Sequence, residues 1–282
     1  MWLADRWRQF SLLDSGDGMK LERWGDAVLA RPDPQAVWPK RDEDQWSLAD
    51  AIYHRSHSGG GEWEFINPLP ESWVISYENL KFTVKPTGFK HTGLFPEQAV
   101  NWVWMGERIR AAGRPISVLN LFAYTGGATL ACAKAGANVC HVDAAKGMVA
   151  WAKDNAAKSQ LGEAPIRYIV EDCMDFVLRE GRRGRKYDAI VMDPPSYGRG
   201  PKGESFRFEK DVYPLVEACE ALLSDQPLFF LLNSYTAGFA PSIGENILRR
   251  ALGQGRIQAD NIGLPGPDDI DLPCGATARW WL

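Results

Sequence analysis

The sequence is short of most features that mark extracytoplasmic, metal-dependent or broadly nucleic-acid-coating proteins. Its most apolar segment, Leu228 to Leu232, falls far short of the roughly 20 residues that span a bilayer. The opening Met1-Trp2-Leu3-Ala4-Asp5-Arg6 carries charge where a secretory signal needs an apolar run. The cysteines, at 132, 140, 173, 219 and 274, are odd in number and form no Cys-x-x-Cys pair, which fits reduced thiols better than a disulfide framework or a zinc site. The four histidines (54, 57, 91 and 141) lack metal-ligand spacing, so no metal is expected. With a net charge of −4 there is no global positive field, and any contact with nucleic acid must use local basic patches. Gly-x-Gly-x-x-Gly, Gly-Lys-Ser/Thr and Gly-x-Ser-x-Gly are all missing, which removes the dinucleotide, nucleoside-triphosphate and serine-hydrolase fingerprints. These absences together predict a soluble cytoplasmic protein that does not enter a membrane.

What is present divides into two halves. At 282 residues, with 45% hydrophobic side chains, the chain can fill a core and suggests two domains. Over 1–88, short strand-like runs alternate with breaks at Pro32-Asp33-Pro34, Ser58-Gly59-Gly60-Gly61 and Pro68-Leu69-Pro70. Trp73-Val74-Ile75-Ser76-Tyr77 and Leu80-Lys81-Phe82-Thr83-Val84 flank Glu78-Asn79 as a hairpin. A helix is expected around Leu48 to Arg55. Most of the 12 tryptophans fall before residue 105, either as core in a small mainly β domain or as stacking surface.

Over 89–282 the pattern alternates helix and strand. Helices are predicted over Gln98–Ala112, Ala128–Ala135 and Cys173–Arg179, with another after Asp143 carrying Met148, Trp151, Ala152 and Asn155 as a core-facing stripe. Strands are predicted over Ile116–Leu121, Val139–Val142, Ile166–Val170, the run ending at Asp193, and Leu228–Asn233. Such alternation implies a doubly wound α/β sheet with right-handed crossovers, whose ligands sit at the carboxyl ends of the strands. Asp143, Asp172 and Asp193 all fall at or just beyond those ends.

Each acid stands in a chemically suggestive context. Asn120 to Ala128 runs from a strand through Phe122, Tyr124, Gly126 and Gly127 into a helix, with glycines that let a ligand approach the backbone. Asp143 follows Gly126 by 17 positions, where a carboxylate can hold both ribose hydroxyls or cap the next helix. Asp172-Cys173 can receive an adenine amino group on the carboxylate and offer the Cys173 N–H to a ring nitrogen, or again cap a helix. Asp193-Pro194-Pro195-Ser196-Tyr197 makes a rigid, acceptor-rich corner. There Asp193 and the Pro194 carbonyl can accept from an amine, and Tyr197 can stack on a ring or line its pocket. Two basic clusters stand out: Arg182-Arg183-Gly184-Arg185-Lys186, expected as a solvated loop, and Arg199, Lys202 and Arg207 beyond the proline corner, suited to RNA phosphates.

This order of glycine loop and three strand-end acids resembles the class I S-adenosylmethionine-dependent methyltransferases. Lys90-His91-Thr92-Gly93-Leu94-Phe95-Pro96-Glu97-Gln98 further resembles the Lys-Thr-Gly-x-Phe-x-Asp-Gln segment of bacterial large-subunit ribosomal RNA methyltransferases, with Pro96-Glu97 in place of Leu-Asp. Asn120 to Gly127 is similar to their Asn-x-Phe-x-Tyr-Thr-Gly-Gly loop. The resemblance covers about residues 75 to 282. It implies a Rossmann-like seven-stranded methyltransferase sheet beside the smaller mainly β N-terminal domain, with S-adenosylmethionine as cofactor. It also gives Lys90, Thr92 and Phe95 the role of capping the cofactor pocket.

One branch of that family methylates cytosine C5 through a cysteine on the loop after the fifth strand. Here that loop is Leu232-Asn233-Ser234-Tyr235-Thr236, and Ser196 stands in the strand-four motif, so transfer to a nucleobase nitrogen is expected. The corner is a relative of the Asp-Pro-Pro-Tyr motif of N-methyltransferases, with Ser196 inserted before the ring. The competing functions are methylation of a small molecule or protein, and a non-catalytic RNA-binding protein with this fold.

Overall fold

The computed structural model describes residues 1–56, 60–200 and 203–282, so His57, Ser58, Gly59 and Lys202, named above, lie outside the described residues. The chain forms two compact units: Met1–Ala99 with Gly263–Cys274, and Val100–Ile262 with Gly275–Leu282.

The first unit contains β1 (Trp2–Leu3), β2 (Phe10–Gly16), β3 (Met19–Trp24), β4 (Ala27–Pro32), the one-turn α1 (Glu43–Trp46), β5 (Ala51–Arg55), β6 (Gly61–Phe65), β7 (Trp73–Tyr77) and β8 (Leu80–Val84). Strands β2 to β6 make a sheet in sequence order, antiparallel except for the parallel β4–β5 pair. Strands β7 and β8 form the expected hairpin, turning through Glu78 at φ 50°. The helix expected around Leu48 to Arg55 is instead strand β5. Ala51 and Tyr53 are buried while Ile52 is not, a period of two, and Asp50 caps the entry by accepting from Val28 N–H. Tryptophans serve this unit as core with a polar handle. Trp24 is fully buried, and the indole N–H groups of Trp7, Trp38, Trp46, Trp63 and Trp73 donate to Pro96 O, Ser15 O, Asp14 Oδ2, Thr87 O and Trp24 O.

The remaining elements are α2 (Ala99–Ala111), β9 (Ser117–Leu121), α3 (Gly127–Lys134), β10 (Asn138–Asp143), α4 (Lys146–Lys158), β11 (Ile166–Val170), α5 (Cys173–Arg182), β12 (Ala189–Met192), β13 (Tyr197–Arg199), β14 (Ser205–Arg207), α6 (Phe208–Glu220), β15 (Phe229–Ser234), α7 (Pro241–Leu252), β16 (Arg256–Leu264) and β17 (Leu272–Trp281). In the second unit seven strands lie in the order β16-β17-β15-β12-β9-β10-β11. Strands β11, β10, β9, β12 and β15 are mutually parallel, and β17 runs antiparallel to β15. This is the expected α/β sheet. Parallel strands are covered on both faces, which is why Ala189–Met192 and Phe229–Leu232 are buried at every position.

Alternation divides these strands between two faces. Leu119, Leu121, Ile190, Met192, Phe230 and Leu232 pack with Phe176, Val212, Leu215 and Leu248 from α5, α6 and α7. The stripe expected on α4 is displaced. Val149, Ala152, Asn155 and Ala156 are buried, whereas Met148 and Trp151 are only partly covered, so the buried face is rotated toward Val149 and Ala156 while Ala152 and Asn155 stay on it. The basic run at 182–186 closes α5: Gly184 takes φ 64°, Arg183 pairs with Glu180, and the cations sit at the negative end of the helix dipole.

Candidate active site

Strand order brings the acids together. Strand β9 lies between β10 and β12 with Val142 level with Leu121 and Met192 level with Leu121. Asp143 and Asp193 therefore end up at the same edge of the sheet, either side of the loop that leaves β9. Changes of strand order in such sheets leave a crevice at this edge.

The loop itself is held in an uncommon shape. Phe122 and Tyr124, neither of them glycine, take φ of 54° and 50°, and Gly126 takes 92°. Non-glycine residues in the left-handed region cost on the order of 1–3 kcal/mol each and persist where surrounding contacts impose them. Those contacts are visible. Ala123 N–H donates to Val142 O, Tyr124 N–H to Asp143 Oδ2 at 2.8 Å, and the Phe122 N–H to the Cys173 sulfur. Phe122, Tyr124, Asp143 and Cys173 thus form one connected group.

The two glycines answer to packing inside the protein. A Cβ on Gly126 would lie 3.0 Å from both Ala152 Cβ and Leu130 Cδ1, and one on Gly127 would lie 2.7 Å from Trp102 Cζ2. They let α3 start tight against α2 and α4. The protein itself fills the space that side chains at these two positions would take, which leaves their backbone as the part able to meet a ligand.

Asp143 does not cap α4, whose N-cap is Ala145. Its carboxylate instead joins two segments, accepting from Tyr124 N–H on one oxygen and Ala145 N–H on the other, both at 2.8 Å. Burial pushes its pKa up, while these two backbone N–H groups pull it down. A carboxylate has about four acceptor positions, so two remain for a diol. Asp172 does cap a helix: its Oδ1 accepts from Met174 N–H at 2.9 Å and Asp175 N–H at 3.1 Å at the start of α5. Cys173 is the first helical residue, where a backbone N–H has no intrahelical acceptor. The Cys173 thiol is buried and its pKa is pushed well up by that burial.

Asp193 leads out of β12 and accepts from Asn233 Nδ2 at 2.9 Å. Pro194 is buried, while Pro195 and Ser196 are exposed. Tyr197 opens the β13–β14 hairpin, 53% exposed, paired across the strands with Arg207 and accepting from Arg199 Nε at 3.1 Å. Phe206 of the same hairpin packs on Phe122 with ring centroids 5.1 Å apart, tying the proline corner to the β9 loop.

Lys90, Thr92 and Phe95 belong to the first unit. Arg31 holds Glu22 through two charged hydrogen bonds of 2.7 and 2.9 Å and donates to Lys90 O at 2.8 Å. Burial, with repulsion from Lys20, lowers the Lys90 pKa. Thr92 is fully buried, and its hydroxyl has no hydrogen-bond partner among the described residues. The rings of Phe95 and His91 lie 5.3 Å apart.

Sequence reasoning missed Asn233, Thr236 and Phe206. The signal for Asn233 was available: it is a polar residue at the end of a buried apolar strand, the same logic that singles out Asp143 and Asp193. Phe206 lay in a stretch with no strand periodicity to mark it.

Comparison with known proteins identifies the family to which this sheet and loop belong. A family model of S-adenosylmethionine-dependent methyltransferases matches residues 45–251. A methyltransferase of this type from Agrobacterium tumefaciens superposes with a TM-score of 0.93 at 38% identity, covering 98% of this chain and 91% of that one. One from Streptococcus mutans gives a TM-score of 0.74 at 20% identity, over 98% of this chain and 76% of that one, a likeness of fold. Among curated proteins, the ribosomal RNA large subunit methyltransferase K/L of Shewanella baltica is 36% identical over 204 residues, 72% of this chain. Its counterpart in Shewanella frigidimarina is 29% identical over the same share. The chain spans only 27% of the length of these two curated relatives. The strand order, the strained loop after β9 and the matched family region converge: the chain belongs to the S-adenosylmethionine-dependent methyltransferases.

Proposed function

We propose that this protein methylates a nucleobase nitrogen in large-subunit ribosomal RNA, with the first domain at 1–88 and the methyltransferase domain at 89–282. When bound, S-adenosylmethionine supplies an activated methyl group on a sulfonium. Asp143 would hold the ribose hydroxyls and the Cys173 N–H an adenine ring nitrogen. Asp172, which already spends Oδ1 on its helix, would meet the adenine amino group. Phe122, Tyr124, Gly126 and Gly127 shape the loop beside them, and for Lys90, Thr92 and Phe95 the resemblance to the family implies a cofactor-capping role.

The observation that carries the reaction type is Asp193, an acceptor fixed at the sheet edge beside a proline corner. An amine attached to a ring has its lone pair delocalised. Hydrogen bonds from that amine to Asp193 and to the Pro194 carbonyl would orient the nitrogen, and they strengthen as positive charge develops on it. Tyr197, exposed on the hairpin, offers a ring face to a base. Transfer through a thiolate is disfavoured: Cys132, Cys140, Cys173 and Cys219 are buried, and burial pushes Cys132 up to about 12 and Cys140 up to about 11.

The curated relatives support ribosomal RNA as the substrate, and a protein acting on such a substrate would work in the cytoplasm. The test is transfer of tritiated methyl groups to ribosomal RNA from a strain lacking the gene, set beside a metabolite extract and a protein extract. Label in the large-subunit RNA, at one nucleotide that is unmodified in the deletion strain, is the expected result. Label only in metabolites or only in protein would replace the RNA reading.

A further inference from the structure

Asp193 is held by a residue that neither the sequence motif nor the cofactor architecture assigns a role. Strands β12 and β15 pair in parallel with Met192 level with Leu232. The next residues along, Asp193 and Asn233, consequently stand side by side at the sheet edge. Asn233 is fully buried, and its Nδ2 donates to Asp193 Oδ1 at 2.9 Å. Charge fixes the orientation of the amide. Turned over, its carbonyl oxygen would face the carboxylate with no hydrogen between them.

The same segment touches the corner again three residues on, where Thr236 Oγ1 lies 2.9 Å from Ser196 Oγ. Pro194 and Pro195 have no N–H of their own, so side chains from the β15 side supply restraint that backbone amides cannot. Asn233 Oδ1 has no hydrogen-bond partner among the described residues. A buried amide left half-satisfied costs stability compared with an aliphatic side chain such as those of Leu231 and Leu232 beside it. Local costs of that kind are expected where function, not folding, sets the residue.

We infer that Asn233 is a positioning residue for Asp193: it ties one carboxylate oxygen to β15 and so presets the acceptor that meets the target N–H. This rests on the reading of Asp193 as that acceptor. A carboxylate accepts about four hydrogen bonds, so the one from Asn233 does not exhaust it.

The experiment compares Asp193→Asn, Asn233→Leu, Asn233→Asp and the swap Asp193→Asn/Asn233→Asp, measuring kcat, cofactor affinity and melting temperature. Removing one preorganised electrostatic partner with Asp193→Asn lowers kcat by about 10²–10³-fold. Asn233→Leu lowers kcat by about 10²-fold, the scale of a small misplacement of a reacting group, with cofactor affinity within about twofold of wild type. Asn233→Asp sets two carboxylates together and lowers the melting temperature. The swap restores that temperature, because donor and acceptor are paired again, yet leaves kcat as low as in Asp193→Asn. A swap that recovers both would show that the pair serves stability alone and would overturn the inference, even if Asn233→Leu fails to fold. So would a folded Asn233→Leu enzyme with kcat within about threefold of wild type while Asp193→Asn is impaired. If Asp193→Asn itself spares turnover, the reading of Asp193 under Proposed function fails, and the inference falls with it.

Discussion

Asp143 has one role visible in the structure and one proposed for it, and the proposed one can be measured. Its carboxylate organises the protein by accepting from Tyr124 and Ala145, and it offers its remaining acceptor positions at the edge where a ribose would lie. Asp143→Ala removes both. Hydrogen bonds to a charged acceptor contribute about 1.5–3 kcal/mol each, without simple additivity, so cofactor affinity is expected to fall by about 10- to 10²-fold. Calorimetric titration that finds unchanged affinity in a folded Asp143→Ala protein removes the ribose assignment.

A second single-residue effect belongs to His141, which is fully buried on β10. Its Nδ1 lies 2.9 Å from Thr129 Oγ1, which in turn accepts from Asn120 Nδ2. Burial lowers its pKa to about 3. The unfolded chain protonates this histidine near pH 6.5 and the folded chain does not, so between those values the unfolded state binds more protons. The stability owed to neutral His141 is complete above about pH 6.5 and is lost as pH falls toward 3. His91, lowered to about 4 by burial and by Arg31, Lys90 and Lys20, adds a contribution of the same sign. Urea midpoints measured from pH 7 to 4.5 should fall in the wild type. In His141→Gln the fall should be shallower, by up to about 1.4 kcal/mol per pH unit for the single missing titration. Parallel curves would show that His141 takes up no fewer protons folded than unfolded.

At the scale of elements, the start of α3 is a tightly constrained joint. Gly126→Ala places a side chain on a residue at φ 92°, with its Cβ 3.0 Å from Ala152 and Leu130. About 1–2 kcal/mol for a left-handed conformation and about 1–3 kcal/mol for overpacking predict a total loss of about 2–5 kcal/mol in denaturant unfolding. A loss below about 1 kcal/mol would mean that α3 and α4 yield easily to one methyl group.

The same joint shows what sequence can and cannot convey. Parallel strands were legible because burial on both faces writes them as unbroken apolar runs, and the acids marked where those runs stop. The glycines of the loop were legible as a tight turn. Their reason, the Trp102 ring and the Ala152 methyl, comes from helices that only the fold brings near. The face of α4 was only partly legible because two overlapping stripes both contain Ala152 and Asn155, and packing selects the one with Val149 and Ala156. The β5 strand was mistaken for helix because the signal is only five residues long and competes with the polar helix-forming run before it. Asn233 went unnoticed because its importance lies in a lateral neighbour 40 positions away.

For the whole molecule, the proposed RNA substrate has to be met by a chain with a net charge of −4. Long-range attraction is excluded by that charge, and at physiological ionic strength fields fade within about 8 Å, so contacts must be local. The β13–β14 hairpin supplies a local surface next to the proline corner. Arg199 and Arg207 are exposed on it, beside the Tyr197 ring. Glu204, Glu209 and Asp211 lie close in sequence, which keeps the net field of this region small while leaving the two guanidinium groups able to meet phosphates at short range. Each phosphate neutralised on single-stranded RNA contributes about 0.7 to the slope of log affinity against log salt. The Arg199→Ala/Arg207→Ala protein should therefore bind its RNA with a slope shallower by about 1.4, while its affinity for S-adenosylmethionine stays unchanged. Filter binding over a range of salt concentrations measures the slope directly. An unchanged slope would move the phosphate contacts off the hairpin and leave Tyr197 without a neighbouring backbone clamp for the base it is proposed to face.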